Sequence, residues 1–296
     1  MKRTGIITDS HSSIGREEAE RLGIRVLAMP FYIDGTCYYE GVTLSRETFF
    51  EKQRAGAEIS TSQPSPAEVM ALWDEALMEY ETILYMPISS GLSGSFATAA
   101  ALAQDEKYEG RVFVVDHGQV ATPLHRMVLD ALELVEKGYL ASEIKEILEK
   151  AREQMLIYIG LQTLEYLKRG GRITPAAAAL GAVFNIRPVL RLETGKLDAY
   201  KKCHGFLKAR KTMIETMQQE LKTRFQRAAE AGMLYLLAAS SASAEETENW
   251  RREIETAFPG LPVMLDELSL GVSCHIGEGG LGIGLSVKPE FAAGLC

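Results

Sequence analysis

Alternation between short apolar, β-branched runs and longer stretches of helical spacing is the feature that most limits the folds open to this chain. In the first half, GIITD at 5–9, IRVLAMPFYI at 24–33, TILYMPI at 82–88 and VFVVD at 112–116 read as strands. Between them, REEAERLG, RETFFEKQRAG, AEVMALWDEALMEYE and SFATAAALAQDE carry helical spacing and helix-forming residues. That order builds a parallel sheet covered by helices. SPAE at 65–68 starts one of the helices: Ser65 caps it, Pro66 takes the first helical position and Glu68 completes a capping box. Ser65 is thereby occupied, which leaves Thr61 and Ser62 of the preceding ISTSQ free for other work.

From residue 123, PLHRMVLDALELVEKG and SEIKEILEKAREQM read as helix, separated by KGY, with Ser142 as the expected cap. LIYIGL then opens a second unit. The expectation is an α/β protein of two domains, 1–155 with a parallel sheet and 156–296 with a mixed or antiparallel one. A chain of 296 residues is long enough for each to bury its own core. In the second, LEYLKRGGRIT reads as a short helix stopped by Gly170 and Gly171. RPVLRLETGKLDAYKKC reads as two strands around a turn at 193–196, and helical stretches flank LYLLAAS. The last stretch, PVMLDELSLGVSCHIGEGGLGIGLSV, reads as strand-like and glycine-rich.

Several function classes are disfavoured. No apolar run approaches the roughly 18 residues that cross a bilayer, and MKRTGIITDSHSS is too poor in apolar residues for a secretory signal, so a cytoplasmic location is expected. Cys37, Cys203, Cys274 and Cys296 are scattered without a CxxC pair, which favours reduced thiols over a disulfide framework or a zinc site. A formal charge of -8 gives no general attraction to nucleic acid or anionic membranes. KRGGR at 168–172 and KARK at 208–211 are the local basic candidates. Neither GxxxxGK[ST] nor a GxGxxG opening a helix occurs, and GEGGLGIG at 277–284 sits between strand-like runs.

The chemistry concentrates in PISSGLSGSF at 87–96. A serine hydrolase elbow needs GxSxG, but after Gly91 and Ser93 the second glycine, Gly94, comes one position early. None of the histidines at 11, 117, 125, 204 and 275 is marked as a base for Ser93. Running from a strand into a helix, the same loop offers backbone N–H groups and hydroxyls to an anion. Ser89, Ser90 and Ser95 also read as turn and cap residues, whereas capping accounts least well for Ser93. His275 reads either as a structural histidine or, since its neighbouring glycines permit close approach, as a site residue.

TDS at 8–10, STSQPSP at 60–66, ISSGLSGSF at 88–96, LEYLKRGGRI at 164–173, NIRPVL at 185–190 and HIGEGGLG at 275–282 follow one another along nearly the whole chain. In that order they resemble the motifs of the DegV family, whose characterised members include the fatty-acid-binding subunit of bacterial fatty acid kinase. The resemblance implies a two-domain α/β protein with a long-chain fatty acid between its domains, no cofactor and no catalytic centre of its own. It implies that Thr61 and Ser93 hold the carboxylate, with Ser62 and Gly94 beside them and His275 nearby. Arg172 of the GGR motif is implied in docking to the kinase catalytic subunit. The acid would then be presented to that ATP-using kinase and passed on as acyl phosphate to phospholipid synthesis, with only transient membrane contact.

The chain departs from the family pattern at several places. HIGEG puts Glu278 where proline is usual, close to the expected anion site. DHGQVATPLHRM follows VFVVD in place of a serine and a GxG-like stretch, at positions that help line the tail pocket in the family. KKCHGFLKARK reduces a basic stretch, and TDSHSS departs at Ser13. Two rivals follow. One is an enzyme acting on a small carbonyl or ester through Ser93 or His275, after a broader fold relationship with dihydroxyacetone kinase subunits. The other is a regulatory protein sensing a different small acid, for which Glu278 and His117 speak.

Overall fold

The computed structural model describes residues 2–40, 42–178, 186–193, 195 and 197–294; Met1, Asn185, Thr194, Lys196 and Cys296 of the stretches read above lie outside them. The first half runs β1 (Lys2–Asp9), a 3-10 turn at Ser10–Ser12, α1 (Arg16–Leu22), β2 (Arg25–Leu27), β3 (Pro30–Ile33), β4 (Thr36–Tyr39), α2 (Arg46–Arg54), β5 (Ile59–Thr61) and α3 (Pro66–Ala76). It continues with β6 (Tyr80–Met86), α4 (Ser95–Leu102), β7 (Val112–Val114), α5 (Ala121–Glu136) and α6 (Ala141–Ala151). The second half comprises β8 (Met155–Gly160), α7 (Glu165–Gly170), α8 (Pro175–Ala178), β9 (Ile186–Leu192), β10 (Asp198–His204), α9 (Phe206–Lys222) and α10 (Gln226–Glu230). It ends with β11 (Leu234–Ser240), α11 (Ala244–Ala257), β12 (Val263–Glu267), α12 (Leu270–Ile276), β13 (Leu281–Val287) and α13 (Pro289–Ala293).

The expected α/β architecture is present. A parallel sheet has the order β2-β1-β6-β7, and a separate six-stranded sheet has the order β10-β9-β8-β13-β11-β12. The second is mixed: only β11 and β12 pair in parallel, while β10, β9, β8, β13 and β11 run antiparallel in turn. One face of it packs on Met213, Met217 and Trp250 of α9 and α11. Its other face meets Ile88, Val120 and Ala121 from the first half.

Four readings are corrected. IRVLAMPFYI is two strands, β2 in the parallel sheet and β3 in a small antiparallel sheet of order β4-β3-β5. Met29 gives its N–H to Ser10 Oγ at 3.1 Å instead of to a strand, and Pro30 has no N–H to give. AEVMALWDEALMEYE stops as helix at Ala76, because Tyr80 already belongs to β6. Helix α6 starts ahead of Ser142, with the Leu140 N–H donating to the Glu143 carboxylate at 2.7 Å. LGVSCHI is the helix α12 and not a strand: Ser269 Oγ accepts the Val272 N–H at one end and Gly277, at φ 77°, ends it. The capping box at Ser65 and the left-handed stop at Gly171 are as read.

Candidate ligand-binding site

Between the two large sheets lies a cavity holding about 1000 Å³ of empty space, its mouth included. Its floor is the face of the six-stranded sheet turned to the first half. Direct cross-strand partners share a face, so Ile159–Gly282–Ala239 and Ile157–Gly284–Leu237 form two adjacent rows across β8, β13 and β11. Glycine in the middle of each row removes the side chain that would otherwise fill the space. All six residues line the cavity. Val120, Ala121 and Pro123, from the departing stretch DHGQVATPLHRM, form another wall where α5 begins. The Thr122 hydroxyl fastens that end to the sheet by donating to Ala238 O at 2.6 Å.

The polar groups gather at one end: His11, Thr61, Ser62, Ser93, Arg172 and His275 line the same cavity. Thr61 ends β5, held in the small sheet opposite Phe31. His275 stands in the last turn of α12, and its Nε2 lies 2.9 Å from Thr61 Oγ1. Burial pushes the His275 imidazole down to about 4, with the neighbouring Arg172 guanidinium adding to the effect, so the ring is neutral at pH 7. Its Nδ1 is buried without a hydrogen-bond partner. A Cβ on Gly170 would stand 2.0 Å from that nitrogen, so the first glycine of KRGGR makes room for the ring.

Ser93 sits on the loop before α4. Its Oγ lies 2.9 Å from Ser95 Oγ and accepts the Ser95 N–H at 3.2 Å, so it does some capping after all. Arg172 ties this loop to α7, with Nε donating to Leu92 O at 3.2 Å and Nη1 donating to Gly170 O. Gly91 of the loop meets the β9–β10 turn so closely that a Cβ on it would lie 2.0 Å from Gly195 Cα. Gly94 is exposed and is absent from the cavity wall; the space beside it is taken by Gln63, which donates to Thr98 Oγ1 at 3.0 Å. Ser62 lines the mouth with its own hydroxyl donating to Gln63 O at 3.1 Å. Arg172, expected at a docking surface, is half-buried beside the head-group residues.

The two departures that favoured a different ligand have other partners. Glu278 turns to Arg54 of α2, whose Nη1 lies 2.6 and 2.7 Å from its two oxygens, and Glu278 does not line the cavity. His117 is fully buried away from the cavity; its Nδ1 accepts the Gln119 N–H at 2.9 Å, and burial pushes its pKa down to about 4. No described histidine is hydrogen-bonded to Ser93. Cys37, Cys203 and Cys274 are free thiols, and the described residues contain neither a metal-ligating cluster nor a helix long and apolar enough to cross a membrane. Missing from the sequence-based site were His11 and the glycine rows. The rows depend on strand register, which a single chain does not display.

A second recess of about 490 Å³ shares Thr61, Arg172 and His275 with the cavity and adds Tyr166 and Arg169.

Comparison with known proteins agrees with this geometry. The family model described as "Uncharacterised protein, DegV family" matches residues 3–288. A DegV domain-containing protein of Deinococcus radiodurans is 33% identical over 282 residues, covering 95% of this chain and 97% of that one. The structure of a fatty-acid-binding DegV family protein from Thermus thermophilus superposes with a TM-score of 0.83 at 32% identity, over 96% of this chain and 99% of that one. A stearic-acid-binding protein from Eubacterium ventriosum shares the fold, with a TM-score of 0.85 at 19% identity over 97% of this chain and 99% of that one.

Proposed function

This chain belongs to the DegV family, and we propose from that membership and the cavity that it binds a long-chain fatty acid and presents it to a separate kinase. The observation that carries the reading is an apolar cavity between two sheets with its hydroxyls, histidines and one arginine confined to one end. In this reading residues 1–155 and 156–296 act as two domains with the ligand between them.

The acid's carboxylate, an acceptor only, calls for donors. With the proton of the neutral His275 on Nε2, that group donates to Thr61 Oγ1, and the Thr61 hydroxyl is left to donate to the ligand. Ser93 supplies a second hydroxyl from the facing loop, and the Arg172 guanidinium adds positive charge beside them. Each methylene placed over the glycine rows contributes about 0.8 kcal/mol. The tail thus supplies most of the affinity and the polar end sets direction.

Presentation without catalysis in this chain fits the same arrangement. Ser93 has Ser95 and not a histidine as its partner, and His275 has Thr61. The recess carrying Tyr166 and Arg169 gives a second protein a route to the head group from outside. The kinase would form the acyl phosphate for phospholipid synthesis.

Solvent extraction of gently purified protein followed by mass spectrometry tests the ligand. A near-stoichiometric fatty acid is expected. Absence of any acyl species, together with no uptake of added palmitate or oleate, would overturn the reading. The head-group assignment is tested separately by a Thr61→Ala, Ser93→Ala double variant, which should lose at least tenfold in palmitate affinity. Addition of a fatty acid kinase catalytic subunit with ATP should yield acyl phosphate only when the loaded protein is present.

A further inference from the structure

His11 stands in the cavity wall with 6% of its surface exposed, and one edge of its ring faces Asp9. Asp9, fully buried, accepts the His11 backbone N–H on Oδ1 at 3.0 Å and the Ile88 N–H on Oδ2 at 2.7 Å. The His11 Nδ1 lies 3.4 Å from Asp9 Oδ1, beyond a good hydrogen bond, and is closed off from solvent. Its opposite edge rests on α12, where a Cβ on Gly271 would stand 2.5 Å from Nε2. Gly271 lines the cavity too, and His275 follows it by four residues on the same helix. The two histidines therefore meet one face of α12 about one turn, ~5–6 Å, apart.

A nitrogen facing a carboxylate carries the proton, because a bare lone pair there would face like charge. In the neutral ring this leaves Nε2 as an acceptor on the cavity side. Polar atoms buried in apolar surroundings are nearly always paired, and the ring makes no hydrogen bond to a described residue. A plain methylene chain would leave that acceptor unpaired; a chain with a hydroxyl close to its carboxyl end would not. Building on the fatty-acid reading above, we infer that His11 makes this cavity selective for acyl chains hydroxylated within the first few carbons, with the ligand hydroxyl donating to His11 Nε2.

Competition binding to the delipidated protein with palmitate, 2-hydroxypalmitate and 3-hydroxypalmitate tests this. One hydroxylated acid should bind about three- to tenfold more tightly than palmitate, the range of one hydrogen bond. His11→Leu should abolish the preference, read as the ratio of hydroxypalmitate to palmitate affinity within that variant. Gly271→Ala, which keeps the imidazole but displaces it, should abolish it too and serves if the leucine variant fails to fold. Palmitate binding with all three acids equal within twofold in the wild-type protein would overturn this inference and leave the fatty-acid reading standing. Persistence of the preference in both variants would also overturn it. Failure of all three acids to bind would overturn both readings.

Discussion

The ring of His275 occupies the place where Gly170 would carry a side chain, with Nδ1 2.0 Å from an ideal Cβ there. Gly170→Ala should accordingly push the ring away from Thr61. Alanine suits the helical position, offsetting part of the overpacking, so the melting temperature should move by only a few degrees. Palmitate affinity, measured by displacement of a fluorescent fatty acid, should fall by about tenfold, the scale of one hydrogen bond to a charged group. Unchanged affinity would show that the histidine does not support the head group.

The glycine rows make a prediction about chain length. A Cβ on Gly282 meets its nearest neighbours at 3.8–3.9 Å, so the backbone accepts a side chain and the excess projects into the cavity. Gly282→Leu should bind palmitate and oleate at least tenfold more weakly while retaining octanoate. Equal loss for short and long acids would mean that the tail does not run along this floor.

Gly91 and Gly195 join the serine loop to the second half by backbone contact alone. Gly91→Ala should cost about 1–3 kcal/mol by overpacking against main chain, a fall of roughly 2–10 °C in Tm. It should also weaken palmitate binding, because Ser93 rides on the same loop. Calorimetric scans with and without ligand would separate the two effects.

Acid stability should follow the buried histidines. His117 and His275 are both held at about 4 in the folded protein, against 6.5. Between those values the unfolded chain binds protons that the folded one refuses, so both contributions are lost as pH falls from about 6.5 to 4. Glu40 opposes them. Burial raises it to about 7 from 4.5, so its contribution is lost as pH rises through that window. Glu40→Gln should therefore stabilise the protein by about 1–3 kcal/mol at pH 7, with the gain vanishing near pH 4.5. Denaturant titrations at both pH values that gave parallel changes would refute the opposition.

Much of the fold was legible because its parts announce themselves locally. Ser65, Pro66 and Glu68 make a complete cap within four residues, and Gly171 stops α7 by its own conformation. What escaped depends on distant partners. LGVSCHI has fewer than two turns and no acidic residue in its first turn, so its caps are what mark it as helix. Glu278 looked threatening to an anion site until Arg54, far away in sequence, took it. Motif order singled out Thr61, Ser93 and His275, which line one cavity; Arg172, read as a docking residue, lines it as well, and Gly94 of the same motif as Ser93 faces Gln63 instead.

On the proposed function, the space over Gly282 and Gly284 would give the protein a core with an exchangeable component. The interiors around Trp73 and Trp250 are packed by residues of the chain itself, but here a small molecule would complete the packing between two sheets. Loading then resembles repair of a large cavity mutant, and the folded state gains RT ln(1 + [L]/Kd) from it. An unloaded copy would be the less stable one, more readily opened and more readily degraded. Supply of the acid would thus set the lifetime of its carrier.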